Sequence, residues 1–346
     1  MGLFSRKKEA SPAVEKKDLI SCEKVIISPP KEYGSPKPMP KITKEQDEAY
    51  RKLLTYFSDP KYELAVNTKD TSKRRALSPR EKFWLTRECI LRFLRAAKWH
   101  EENAIKNLEE TMAWRREVGI TYDSDENPLR GDTVAIENET GKEVLLGFDL
   151  DRRPLFYMKN GRQNTEPSFR QVQQLIYMME CVIALTPEGV EQITVLVDFK
   201  AYKEPGIISD KPPPLAITKL CIKVLQDYFP ERLAKCILIN IPWFVWAFLK
   251  MSYPFLDPRT REKAIFDEPF EKHVELTQLE AMYGGKLDFK YNHKVYWADL
   301  GKQCDTIRER QFGRFNKFGS VIGLSEWDLK GSNDEIRYPV DYASIT

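Results

Sequence analysis

The chain has 346 residues and a formal charge of only +3, from 55 basic against 52 acidic side chains; 42% of it is hydrophobic. Length and apolar content allow a substantial core, and the charge balance excludes the domain-wide basic excess expected of a nucleic-acid binder. Six cysteines without a C-x-x-C pair, and three histidines without a His or Cys at ligand spacing, exclude a structural zinc site.

Residues 1–42 are rich in Lys, Glu, Ser and Pro, with Pro29, Pro30, Pro36, Pro38 and Pro40 close together, and are expected to lack order. The start, Met1-Gly2-Leu3-Phe4-Ser5-Arg6-Lys7-Lys8, has charges but no apolar stretch behind them, so no signal peptide is expected. Arg6 stands where N-myristoylation needs Ser or Thr. These features point to a reduced, cytosolic protein. Thr43-x-x-Gln46 resembles a capping box and predicts a helix through Phe57, followed by a polar loop over 60–78. From Pro79 the pattern is helical again: Ile90, Leu91, Phe93 and Leu94 cluster on one side, and a further helix covers about 102–118. Residues 43–125 therefore form a helical N-terminal lobe.

The period then changes. Val144–Phe148 and Pro154–Met158 flank the turn Asp149–Arg153 as strands, and Phe169–Leu185 has helical spacing. Ile193–Val197 is an almost unbroken apolar strand, as in a sheet covered on both faces. A helix over about 215–228 and a strand at Cys236–Ile241 follow. Strands alternating with helices imply an α/β lobe over about 130–290 with a mainly parallel sheet, leaving 291–346 as a C-terminal extension.

The most apolar run is Ile241-Pro242-Trp243-Phe244-Val245-Trp246-Ala247-Phe248-Leu249. A helix apolar on nearly every side must be buried all round or meet lipid, and this one is far too short to span a bilayer. On the residues alone it is a core helix, an interface helix or a lid over an apolar cavity. After it, Asp257-Pro258 predicts a helix start that places Thr260 and Lys263 on one face. That face suits either a phosphate or sugar, or plain solvent.

Four segments carry a family resemblance: Leu91-Arg92-Phe93-Leu94-Arg95-Ala96-Ala97-Lys98-Trp99, Tyr228-Phe229-Pro230-Glu231-Arg232-Leu233, Pro254-Phe255-Leu256-Asp257-Pro258-x-Thr260-x-x-Lys263, and Leu279-x-x-Met282-Tyr283-Gly284-Gly285. In this order and spacing, from about 80 to 290, the chain resembles CRAL-TRIO lipid-binding proteins. It is most similar to the fungal phosphatidylinositol-transfer subgroup linked to pleiotropic drug (azole) resistance, which the tail around Phe318–Glu326 also resembles. The resemblance implies a helical lobe followed by a CRAL-TRIO lobe whose sheet floors a lipid cavity. It also implies a carrier that exchanges phosphatidylinositol between membranes without catalysis or cofactor, acting in sterol and phospholipid homeostasis and azole tolerance.

By the resemblance, Glu231, Thr260, Lys263 and Lys98 hold the inositol-phosphate headgroup, although the arginine often found before the last of these is Ala97 here. Trp243, Phe244, Trp246, Phe248 and Leu249 form the gate that meets the membrane. Ile193, Val195, Val197, Leu146 and Phe156 line the cavity. Phosphatidylcholine-binding members have Ser and Thr where Ile193 and Val195 stand, and tyrosines near Leu146 and Phe156, so poor phosphatidylcholine binding is expected, at about 1–3 kcal/mol per missing hydrogen bond. A sterol or another hydrophobic second ligand would suit the more apolar cavity. The implied partners are a membrane surface and a lipid kinase or phosphatidylserine-metabolism enzyme, with location in the cytoplasm, peripheral to the endoplasmic reticulum or lipid droplets. The rivals are a lipid-presenting regulatory module and an α/β lipase; for the latter, no G-x-S-x-G elbow is present.

Overall fold

The structure, a computed structural model, describes residues 18–122, 128–211, 213–252 and 258–340; within these, the side chains of Phe248, Ser252, Arg259 and Thr260 are not described. The first element corrects an expectation. The Pro-rich segment contributes β1 (Ile20–Cys22), and Val25 beyond it is buried, its N–H donating to Asp299 Oδ2 at 3.2 Å. Low apolar content ruled out an independent core for this segment, but not pairing with a strand supplied by the rest of the chain.

Helix α1 (Lys44–Ser58) opens with a reciprocal capping box: Thr43 Oγ1 accepts from the Gln46 N–H at 3.3 Å, and Gln46 Oε1 accepts from the Thr43 N–H at 3.0 Å. The expected loop over 60–78 instead holds a small antiparallel hairpin, β2 (Glu63–Ala65) and β3 (Arg74–Ala76). Strands of three residues give no usable alternation. The pairing is fastened from outside by Arg116, whose guanidinium donates to the carbonyls of Leu64 (2.7 Å), Ala65 (3.0 Å) and Ala76 (3.3 Å). Three helices complete this lobe: α2 (Pro79–Trp84), α3 (Arg87–Ala96) and α4 (Glu101–Val118). Leu53, Leu85, Ile90, Leu94, Ala104 and Leu108 are fully enclosed among them.

After the short α5 (Gly131–Val134) comes the second lobe. Its elements are β4 (Glu143–Phe148), β5 (Pro154–Lys159), α6 (Phe169–Leu185), β6 (Ile193–Asp198), α7 (Leu215–Tyr228), β7 (Leu233–Ile239), α8 (Trp243–Ser252), α9 (Pro258–Glu262) and β8 (Ala264–Phe266). The sheet order is β4-β5-β6-β7-β8; only the hairpin pair β4-β5 is antiparallel. The mainly parallel α/β expectation therefore holds.

Past the sheet, β9 (Leu287–Phe289) pairs in parallel with β1, and α10 (His293–Lys317) and α11 (Glu326–Lys330) close the chain. The register across the sheet decides which side chains share a face. Leu145, Phe156, Val195, Cys236 and Ala264 form one row, and Glu143, Met158, Val197, Leu238 and Phe266 belong to the same face. Helices α6, α7 and α8 lie over that face. Tyr157, on the opposite face, packs against Phe270 and Tyr283.

Candidate functional site

A strand inside a mostly parallel sheet is normally buried on both faces. Here β7 lies between β6 and β8, yet Ala234 and Cys236 on the face beneath α6–α8, the floor face, are only partly buried, as is Val195 beside Cys236 on β6. The helix above is equally under-packed: of α7 only Val224 is buried, while Leu215 and Leu220 are exposed and Ile217 and Cys221 half-buried. An apolar sheet face and an apolar helix thus approach without closing. A void of about 50 Å³ on this side of the sheet is bordered by Met158 of β5, Leu175 of α6, and Ile217 and Cys221 of α7.

Helix α8 packs against the same face. Val245 is 1% exposed, and the Trp246 ring meets Phe266 on the floor face at 5.0 Å between centroids. On the outer side Trp243 is 82% exposed, with Phe244 and Met251 also exposed and Leu249 half-buried. Single exposed apolar residues are ordinary, but this many on one short helix marks a surface that meets something apolar. The side chain of Phe248, expected in the same gate, lies outside the described residues. Among the described residues no helix is long and apolar enough to cross a membrane.

The expected headgroup positions gather at one edge of the sheet, where the parallel strands begin. Glu231 precedes β7 in a left-handed turn (φ 59°), its carbonyl accepting from Gln192 Nε2 at 3.4 Å, just ahead of β6. Lys263 precedes the adjacent strand β8, its carbonyl accepting from the Cys236 N–H at 2.9 Å. Lys98 follows α3, also at positive φ (52°). The end of α3 is tied to this edge: Arg92 and Arg95 each bind Glu191 Oε2 at 2.9 Å, and the Glu191 carbonyl accepts from Arg232 Nη1 at 2.9 Å. The fourth position, Thr260, lies on the backbone of α9, its side chain outside the described residues.

Of the expected lining residues, Phe156, Ile193, Val195 and Val197 lie on the floor face. The register pairs Leu145 with Phe156 and leaves Leu146 in the irregular step before Phe148. Sequence reasoning missed the polar side of the void bordered by Met158 and Cys221. Glu143, Gln171 and Gln174 line it as well. The signal was present in two glutamines three residues apart on an otherwise apolar helix.

A larger void, about 120 Å³, lies between α2–α4 and α10–α11. Its walls combine buried ion pairs with apolar side chains, among them Phe83, Trp84, Phe93, Met112, Ile183 and Phe229. Arg115 binds Glu180 through both nitrogens, at 2.7 and 3.0 Å, and Arg92 reaches Glu326 at 2.8 Å. Burial opposes ionisation of Glu326, but Arg92, Lys330 and Arg232 together hold its carboxyl well below the usual range. These ion pairs join the helical lobe to α6 and α11.

Comparison with known proteins agrees with this architecture. The CRAL/TRIO domain family matches residues 138–285, and the CRAL/TRIO N-terminal domain matches 49–110. The chain is 59% identical over 347 residues to the phosphatidylinositol transfer protein PDR17 of Saccharomyces cerevisiae, covering 99% of each. The chain belongs to the CRAL/TRIO family. It is also 39% identical to a CRAL-TRIO domain-containing protein of Schizosaccharomyces pombe, over 96% of this chain but 33% of that one. The crystal structure of Sfh5 superposes with a TM-score of 0.49 at 17% identity, over 78% of this chain and 98% of that chain.

Proposed function

We propose that this CRAL/TRIO protein carries one phosphatidylinositol molecule in a chamber between β5–β7 and α7–α8 and exchanges it between membranes. The observation that carries the reading is the incompletely covered apolar face around Val195 and Cys236 on internal strands, with Glu231 and Lys263 ahead of the neighbouring strands β7 and β8. The full-length similarity to a phosphatidylinositol transfer protein supports it.

In this reading acyl chains leave water for the chamber, at about 0.8 kcal/mol per buried methylene. The phosphate cannot be buried bare, so Lys263 supplies charge, while Thr260, Glu231 and Lys98 hydrogen-bond or pair with the inositol phosphate. Acyl chains are nearly interchangeable, so the rim sets specificity. Ile193, Val195 and Phe156 offer the floor no hydroxyl, and phosphatidylcholine binds poorly. The exposed rings of α8 rest in the interface of a membrane contacted peripherally, which lowers the barrier to opening. No covalent step is required.

Vesicle-to-vesicle transfer of labelled phosphatidylinositol tests the rim. Lys263→Ala is expected to abolish transfer while leaving the melting temperature unchanged. Undiminished transfer by that variant would refute the headgroup assignment.

A further inference from the structure

Glu143 begins β4, and its backbone is already fixed by Asn138: its N–H donates to Asn138 Oδ1 at 2.9 Å and its carbonyl accepts from Asn138 Nδ2 at 2.8 Å. Its carboxylate does no such structural work. Glu143 is 9% exposed, and Oε2 has no hydrogen-bond partner among the described residues. Gln174 is fully enclosed with neither amide atom paired, and Gln171 Oε1 is likewise unpaired. Glu143, Gln171 and Gln174 face one void, whose other walls include the polar Lys142, Lys159, Asn160 and Gln163 and the apolar Met158, Ile217 and Cys221.

Buried polar groups are nearly always paired, so unpaired atoms on three side chains around one space point to a ligand. The neighbouring cations are already committed. Lys142 Nζ lies 3.1 Å from Glu137 Oε2, and Lys159 Nζ lies 2.7 Å from Glu280 Oε2. What remains is the Glu143 carboxyl, near Lys142 but with no hydrogen bond to Oε2, and two amide oxygens, set beside one amide NH2. Such an acceptor-rich pocket, whose carboxyl an incoming cation would hold ionised, is complementary to a group with several N–H donors and a positive charge. The void lies beyond Met158, near the end of β5, whereas Glu231 and Lys263 lie where the parallel strands begin. The two polar ends are therefore separated by about one strand length, roughly 20 Å.

We infer that Glu143, Gln171 and Gln174 form a second polar subsite in the chamber, which takes the primary ammonium of an amphiphile whose tail lies along the apolar floor. The inference rests on the carrier reading, because the tail needs that chamber. A free long-chain amine and an aminophospholipid present the same group, and a binding experiment separates them.

Lipid-stripped full-length protein would be offered sphinganine, N-acetylsphinganine and phosphatidylethanolamine, each in vesicles of a neutral matrix lipid, and retained ligand quantified by mass spectrometry. Retention of sphinganine or phosphatidylethanolamine well above N-acetylsphinganine, falling about tenfold or more in Glu143→Gln, is expected from loss of a charge-assisted contact. Which of the two amines is retained identifies the source. Equal retention of amine and amide, or retention unchanged in Glu143→Gln and Gln174→Leu, would overturn the subsite, as would a void that takes up water only. Phosphatidylinositol transfer by the same preparations is scored alongside. If wild-type protein moves phosphatidylinositol but ignores amines, the subsite fails alone; if it moves neither lipid, the carrier reading fails.

Discussion

Glu143 shows how one side chain can make stability depend on pH. Burial pushes its carboxyl up to about 7, with Lys142 opposing and Glu137 adding to the rise; Lys159 and Cys221 also line its void. In the unfolded chain the same group titrates near 4.3. Between those values the folded protein holds a proton that the unfolded chain has released, so stability falls as pH rises. The contribution is fully present below about 4.3 and is lost on approaching 7. In lipid-stripped protein, Glu143→Gln is therefore expected to be more stable than wild type at pH 8, by roughly 3 kcal/mol, and equal to it near pH 4. Denaturant melts at both pH values measure this; a difference independent of pH would show that the carboxyl is not buried as described. Such a group was not legible in the sequence, where Glu143 merely opens an apolar strand. Nothing local distinguishes a carboxylate that meets solvent from one that meets a void.

Among elements, α8 makes the clearest division between stability and activity. Trp243 and Phe244 are exposed, and Val245 and Trp246 pack inward. The double variant Trp243→Ala, Phe244→Ala should melt like wild type, because it removes little buried area. Co-sedimentation with vesicles should nonetheless fall several-fold, and transfer with it. Unchanged sedimentation would remove α8 from the membrane contact. The composition of this helix was plain in the sequence, since no polar stripe interrupts it; which side faces outward was not, because a helix apolar all round carries no phase. Strands β4 to β7 and helix α6 were legible as apolar runs or helical spacing bounded by turn residues, whereas the three-residue β8 was not. Helix α10 went unread, although Tyr296, Leu300, Cys304, Gln311 and Phe315 are buried at helical spacings along it. Its many charged residues and the glycines at 301 and 313 dilute that stripe. The β2–β3 hairpin was unreadable because its pairing depends on Arg116, forty residues further on.

At the scale of the molecule, the two lobes are joined by charge. Arg92 of α3 binds Glu191 ahead of β6 and Glu326 of α11; Glu88 accepts from Ser325 Oγ at 2.8 Å and from the Glu326 N–H at 2.6 Å; Lys330 pairs with Glu326 at 2.8 Å. Removing one member of such a buried set strands the others, at a cost of about 3–5 kcal/mol. Arg92→Ala is expected to lower stability by that amount and to release α11, seen as faster amide exchange over 322–330. A loss below about 1 kcal/mol would mean that the joint is solvated. Apart from Lys330–Glu326, four residues apart, none of these pairs could be read from sequence, since each spans 99 residues or more.

The sulfur atoms beside the proposed chamber have a chemical consequence for its cargo. Cys221 on α7 and Cys236 on β7 are free thiols, and burial raises both to about 12. At neutral pH they are protonated, and it is the thiolate that attacks electrophiles. On the proposed carrier function, an acyl chain that has been peroxidised and releases reactive aldehydes would meet thiols too weakly ionised to be alkylated.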